Sequence, residues 1–143
     1  KCRCNRNVFK IMSEIKDEIR NGRIINKEVV TAAAEELAKK RNAKLTKEMM
    51  RIAVDSEFER KNALLNLQRN RDEEDPIKAC LKAKEANEIA VKEGKMTPEE
   101  FREANRKADD EKAKALRSIS DEYYTLRNQL QKQCYDVLND WDD

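Results

Sequence analysis

The residues whose type and spacing could form covalent cross-links are four cysteines: Cys2, Cys4, Cys80 and Cys134. An even number of cysteines in a short chain is typical of disulfide pairing in an oxidising compartment. Cys2 and Cys4 are separated by one residue, which is too few for them to bond each other. We therefore expect each of them to bond one of Cys80 and Cys134, and the sequence leaves both arrangements open.

Other reactive groups are sparse. The chain has no histidine, the residue type that most often acts as general base or metal ligand. Cys2 and Cys4 do not have the spacing of a zinc site, and two glycines are too few for a phosphate-binding loop. Carboxylates mostly stand beside lysine or arginine at helical spacing, as on solvated helix faces. We predict no catalytic residue, no metal site and no cofactor, and a protein that is not an enzyme.

The elements that would position the cysteines are helices. Apolar residues recur every three or four positions, which predicts α-helices, and two glycines with two prolines are too few for the turns of a β-sandwich. Asn26 and Thr46 are candidate N-caps, Asp75 with Pro76 predicts a further helix start, and residues 97–100 form a capping box. We predict an all-α, disulfide-stapled bundle of about five helices in a single domain spanning residues 1–143.

The last predicted helix conflicts with the cysteine pairing. If the last two helices form an antiparallel hairpin that turns near residue 96, Cys80 lies level with about residue 112. Cys134 then lies about 33 Å further along at 1.5 Å per residue. Disulfides to the neighbouring Cys2 and Cys4 require Cys80 and Cys134 to lie within roughly 20 Å of each other. We expect the last helix to break near Ser118–Asp121, where a serine could cap a new helix.

Charge is distributed unevenly along the chain. Residues 1–71 hold 18 lysines and arginines against 10 acidic residues, whereas residues 72–143 hold 13 against 19. The two halves could complement each other, or the basic half could steer an acidic partner. We name Lys39, Lys40, Arg41 and Trp141 as candidate partner-binding residues, since tryptophan is enriched in interface hot spots and a basic run can steer an acidic partner.

These observations define a class of function. We predict a secreted protein that binds another protein, in the manner of an effector or host-interaction factor. The alternative is a carrier of a small apolar ligand, which we consider less favoured because apolar residues make up only 38% of the chain. We expect no nucleic-acid binding, and no membrane span because no run of about 18 apolar residues occurs. The chain begins at Lys1, as a processed secreted protein or a fragment would.

Overall fold

The computed structural model describes residues 15–22 and 24–141, and within these residues the chain is helical. Helix accounts for 86% of them and none forms a strand, which confirms the all-α prediction. The described part of the first helix, α1, covers residues 15–20. The other helices are α2 (Lys27–Lys40), α3 (Lys47–Lys92) and α4 (Pro98–Asn139). The described residues therefore form four helices, whereas the sequence predicted about five.

The helix ends follow local sequence signals. The Asn26 side chain accepts hydrogen bonds from the amides of Glu28 and Val29, at 2.9 and 3.3 Å. Thr97 Oγ1 accepts from the Glu100 amide at 3.1 Å while Glu100 Oε1 accepts from the Thr97 amide at 3.2 Å, as a capping box requires. Gly94 follows α3 with a positive φ of 73°, the conformation that ends many helices. These predictions are confirmed.

The predicted helix start at Asp75-Pro76 is wrong, because α3 continues through Pro76. Proline lacks an amide hydrogen, so the helix forgoes one backbone hydrogen bond at that position. Side-chain pairs one turn apart stabilise the helix on both sides of the proline. Gln68 donates to Asp72 at 2.9 Å, Arg69 to Glu73 at 2.8 Å, and Lys78 Nζ lies 3.9 Å from Glu74. The acidic residues therefore support one continuous helix rather than cap a new one.

The predicted break near Ser118–Asp121 is also wrong, because α4 is helical from Pro98 to Asn139. A serine cap competes with the helix only where the apolar pattern is interrupted, and here Tyr123, Leu126 and Leu130 continue the buried stripe. The Ser120 hydroxyl does not cap a helix. It accepts a hydrogen bond from the Arg69 guanidinium at 3.3 Å.

The helices contribute to two compact units. The first contains the described residues up to Leu67 together with those from Tyr124 onwards, and the second runs from Gln68 to Tyr123. In the first unit, residues from all four helices are almost completely buried: Ile19, Val30, Met50, Val54, Leu126 and Leu130. The prediction of a single domain stays a prediction.

The second unit is an antiparallel helical hairpin. The Asn87 side chain donates to that of Asn105 at 3.0 Å, near the turn, and Arg69 reaches Ser120 at the other end. Between these two contacts, the Cys80 thiol donates a hydrogen bond to the Asp109 carboxylate. This agrees with the predicted alignment of Cys80 with about residue 112. The buried residues of this unit are Cys80, Ala108 and Tyr123. Two helices alone thus leave much of their apolar surface exposed.

The structure does not show the predicted disulfide stapling. Cys80 and Cys134 are buried thiols that are bonded neither to each other nor to another cysteine. Cys2 and Cys4 lie outside the described residues. The break in α4 was inferred from the two predicted disulfides, so the unbroken helix argues against that pairing.

Candidate binding surfaces

A basic turn joins α2 to α3 in the first unit. Residues 39–47 contain five lysines and arginines and no acidic residue. Lys39 and Lys40 form the end of α2, Arg41 is its C-cap, and Lys44 lies in the connection. All four are exposed, and no described residue forms an ion pair with any of them. We refer to residues 39–47 as the basic turn.

The backbone of the basic turn is fixed by hydrogen bonds. Asn42 has a positive φ of 47°, a conformation that asparagine tolerates better than most residues. Its amide donates to the Lys39 carbonyl at 3.1 Å, and the Ala43 amide donates to the Ala38 carbonyl at 3.0 Å. This pair of bonds is the Schellman motif of helix ends. The cations also interact favourably with the negative end of the α2 dipole. The turn therefore presents its charges from a defined backbone.

Trp141, the other candidate partner-binding residue, follows the end of α4. It is half-buried, and its amide donates to the Leu138 carbonyl at 3.3 Å. No hydrogen bond joins it to Lys39, Lys40 or Arg41 in the described part of the chain. The structure places all four residues in the first unit but does not bring the tryptophan and the basic residues into one bonded cluster.

Two small hollows have mainly apolar linings. The one in the second unit has a volume of about 220 Å³ and is lined by Pro76, Ala79, Cys80, Ala83, Ala108, Glu111, Lys112 and Ala115. The one in the first unit has a volume of about 210 Å³ and is lined by Val54, Asp55, Phe58, Gln131, Cys134, Tyr135 and Leu138. Ligand pockets usually measure about 300 Å³ or more, so both are small for a carrier site.

Each of these hollows contains a cysteine with acidic neighbours. Burial, together with the nearby negative charges of Asp55 and Glu57, raises the pKa of the Cys134 thiol to about 11 by disfavouring the thiolate. Cys80 donates its thiol hydrogen to Asp109, 3.6 Å away, and Lys84 Nζ lies 2.6 Å from the same carboxylate. The hydrogen bond from Lys84 to Asp109 lowers the pKa of Asp109 and raises the pKa of Lys84. Cys134 is therefore held as a thiol at neutral pH, a poor state for a nucleophile.

Metal-binding clusters and membrane-spanning helices do not occur in the described part of the chain. Residues 15–22 and 24–141 contain no group of three or more cysteine, aspartate or glutamate side chains placed to hold a metal ion. No helix within these same ranges is both long and apolar enough to cross a membrane. Comparison with protein-family models, with curated protein sequences and with solved structures finds no match to this chain.

One surface was missed by the sequence-based interpretation. Ile77, Leu81 and Ile89 are apolar residues of α3 near Cys80, yet their exposed fractions are 41%, 57% and 56%. The positions of these residues around the helix could have shown that they do not face α4. At about 100° per residue, Leu81 and Ile89 lie on a different side of α3 from Cys80 and Asn87, the residues that bond to α4. The sequence-based interpretation considered only which apolar residues each helix contains, and so did not distinguish the side of α3 that faces α4 from the side that is exposed.

Proposed function

We propose that this protein is a secreted, non-enzymatic protein that acts by binding an acidic protein partner through the basic turn. The observation that carries the proposal is the set of exposed cations at Lys39, Lys40, Arg41 and Lys44. They form no ion pair among the described residues, even though Glu35 and Glu36 lie one turn before Lys39 and Lys40. Cations elsewhere on the helices are commonly paired within a turn, as Arg106 is with Glu103 and Asp110. The unpaired charges of Lys39, Lys40, Arg41 and Lys44 are available to a partner.

An acidic protein surface would complement these cations. Complementary charge raises association rates and excludes wrongly charged partners more than it adds affinity. Trp141 would supply an apolar anchor if it moves from its half-buried position, since tryptophan dominates many interfaces. The alternative, a carrier of a small apolar ligand, has less support because the two apolar hollows measure only about 220 and 210 Å³.

Secretion and disulfide formation belong to the same proposal. We propose that Cys2 and Cys4 each bond one of Cys80 and Cys134 in the secreted protein, which requires α4 to bend or break on oxidation so that Cys80 and Cys134 come within roughly 20 Å of each other. Each bond releases two hydrogens to a cellular oxidant. Mass measurement of protein from the culture medium, with and without reductant, should differ by four hydrogens. Four alkylatable thiols in the unreduced secreted protein would show that this part of the proposal is wrong.

The binding proposal is tested by capture with matched charge reversals. One variant changes Lys39, Lys40 and Arg41 to glutamate. The control changes Lys107, Lys114 and Arg117 to glutamate, and these three residues are exposed on α4. Both variants change the net charge equally. We expect the wild type and the control to capture the same acidic protein from the secretions of the source organism. The basic-turn variant should not capture this protein. Equal capture by all three forms would contradict the proposal.

A further inference from the structure

The cations of the basic turn are closely spaced in the sequence. Lys39, Lys40 and Arg41 are consecutive, two uncharged residues follow, and Lys44 completes the group. Four of the six residues 39–44 are therefore basic, and all four are exposed. Short segments rich in lysine and arginine are typical of sites that bind nucleic acids or heparin, both of which are linear polyanions. The spacing therefore favours a ligand with a high density of negative charge.

The first three cations surround the end of α2 rather than lie on one side of it. Arg41 still belongs to the last turn, because its amide donates to the Leu37 carbonyl at 3.2 Å. Successive residues of a helix are rotated by about 100°, so Lys39, Lys40 and Arg41 project over an arc of about 200°. A rigid, flat surface would contact one side of this arc. A flexible linear chain can follow the whole of it.

The backbone that carries the cations is fixed on both sides of Lys44. On one side, the Ala43 amide donates to the Ala38 carbonyl at 3.0 Å. On the other, Thr46 Oγ1 accepts a hydrogen bond from the Met49 amide at 3.3 Å, at the start of α3. A ligand that binds here must order the side chains but not the backbone. The entropic cost of binding is therefore lowered.

The residue types of the basic turn narrow the class of polyanion. Residues 39–47 contain no aromatic side chain, and proteins that bind single-stranded nucleic acids stack bases on aromatic side chains. Leu45, the largest apolar residue of the turn, is half-buried. The turn therefore has no large exposed apolar side chain to insert into a lipid layer or to form the centre of a protein interface. Binding must rely on charge and on hydrogen bonds to anionic groups, and a sulfated polysaccharide offers both.

We propose that the basic turn binds the sulfate groups of a glycosaminoglycan chain, and that the acidic partner is a protein that carries such a chain. This inference rests on the proposed function, since it names the source of the partner's negative charge. A sulfate group stays ionised throughout the physiological pH range, and its terminal oxygens accept hydrogen bonds. The Arg41 guanidinium can donate two parallel hydrogen bonds to one sulfate, as arginine does to phosphate. Lys39, Lys40 and Lys44 contribute compact positive charges.

A sulfated chain also gives these cations more binding energy than scattered carboxylates do. A densely charged chain holds condensed counterions, and each cation that binds releases some of them, as in protein binding to nucleic acids. Single ion pairs between exposed side chains contribute at most about 1 kcal/mol by comparison. The affinity should therefore depend on the sulfation of the chain as well as on the cations of the basic turn.

Titration calorimetry with heparin at about 0.15 M salt tests this inference. The wild type is compared with the basic-turn variant and with the α4 control, and circular dichroism checks that all three have the same helix content. Heparin stripped of its sulfates, poly-glutamate and a DNA duplex are the comparison ligands. We expect the wild type and the control to bind heparin equally, and the basic-turn variant to bind it at least about tenfold more weakly. Each comparison ligand should bind the wild type at least about tenfold more weakly than heparin does.

Three results of this titration would overturn the inference. They are a wild type that does not bind heparin, a basic-turn variant that binds heparin as tightly as the wild type, and a comparison ligand that binds as tightly as heparin. The last result would show that negative charge alone, without sulfate, is sufficient.

Enzymatic removal of the glycosaminoglycan separates this inference from the proposed function. The secretions are treated with glycosaminoglycan lyases before capture by the wild-type protein. We expect the partner captured from untreated secretions to be lost after treatment. Capture that survives the treatment would overturn the inference and leave the proposed function intact. Failure to capture any protein from untreated secretions, with heparin binding retained, would contradict the proposed function and not the binding of the sulfated chain.

Discussion

The Tyr123 hydroxyl donates a hydrogen bond to the Asp72 carboxylate, which joins α4 to α3 in the second unit. Asp72 also accepts from the Gln68 side chain at 2.9 Å, so one carboxylate receives donors from both helices of the hairpin. Tyr123 is 5% exposed, whereas its neighbour Tyr124 is 68% exposed. Of these adjacent tyrosines, Tyr123 therefore links the two helices, whereas Tyr124 faces solvent.

Removal of the Tyr123 hydroxyl should destabilise the protein. Hydrogen bonds to charged groups contribute about 1.5–3 kcal/mol, and since Asp72 is half-buried we expect Tyr123→Phe to lower the free energy of unfolding by about 1–2 kcal/mol. Urea unfolding followed by circular dichroism measures this value. Tyr124→Phe is the matched control and should change stability by less than about 0.5 kcal/mol. Equal effects of the two substitutions would show that the bond to Asp72 is not stabilising.

Pro76 provides a test of the continuous helix. A proline inside a helix costs about 3 kcal/mol relative to alanine, whereas a proline in the first turn is well tolerated. Because α3 runs through Pro76, we expect Pro76→Ala to stabilise the protein by up to about 3 kcal/mol. The midpoint of urea unfolding should rise accordingly. A neutral or destabilising substitution would instead support a helix start at this position.

The capping box of α4 should behave as a reciprocal pair. Thr97→Ala removes the acceptor of the Glu100 amide and should cost about 1 kcal/mol, whereas Thr97→Ser should retain most of the stability. A double-mutant cycle with Glu100→Ala measures the coupling between the two bonds. Thermal unfolding of the four forms gives the values. Identical stability of the alanine and serine variants would argue against the cap.

These tests reflect what the sequence could and could not predict. The caps at Asn26 and Thr97 were predictable because a cap depends on residues within one turn. The continuity of α3 through Pro76 was not, since the proline signal is local whereas the pairs that support the helix lie on both sides of it. The candidate residues Lys39, Lys40 and Arg41 were identified by composition, whereas their exposure and lack of ion pairs depend on the folded structure.

Cys134 should be slow to alkylate in the folded, reduced protein. Its pKa is raised to about 11, so the thiolate is scarce at neutral pH and increases as the pH approaches that value. Because the folded pKa lies above the ordinary value of 9.0, the stabilising effect of the neutral thiol is complete below pH 9 and is lost as the pH rises towards about 11. Iodoacetamide labelling followed by peptide mass spectrometry measures the rate at each pH. Rapid labelling of folded Cys134 at pH 7 would contradict this environment.

The dependence of partner affinity on salt tests the central claim most directly. The captured partner is titrated against the wild-type protein between roughly 0.01 and 0.15 M salt, where the Debye length falls from about 30 to about 8 Å. If the cations of the basic turn bind an acidic surface, the dissociation constant rises severalfold over this range, and the variant with Lys39, Lys40 and Arg41 changed to glutamate shows no such rise. A wild-type dissociation constant that stays constant across the range would contradict binding through these charges.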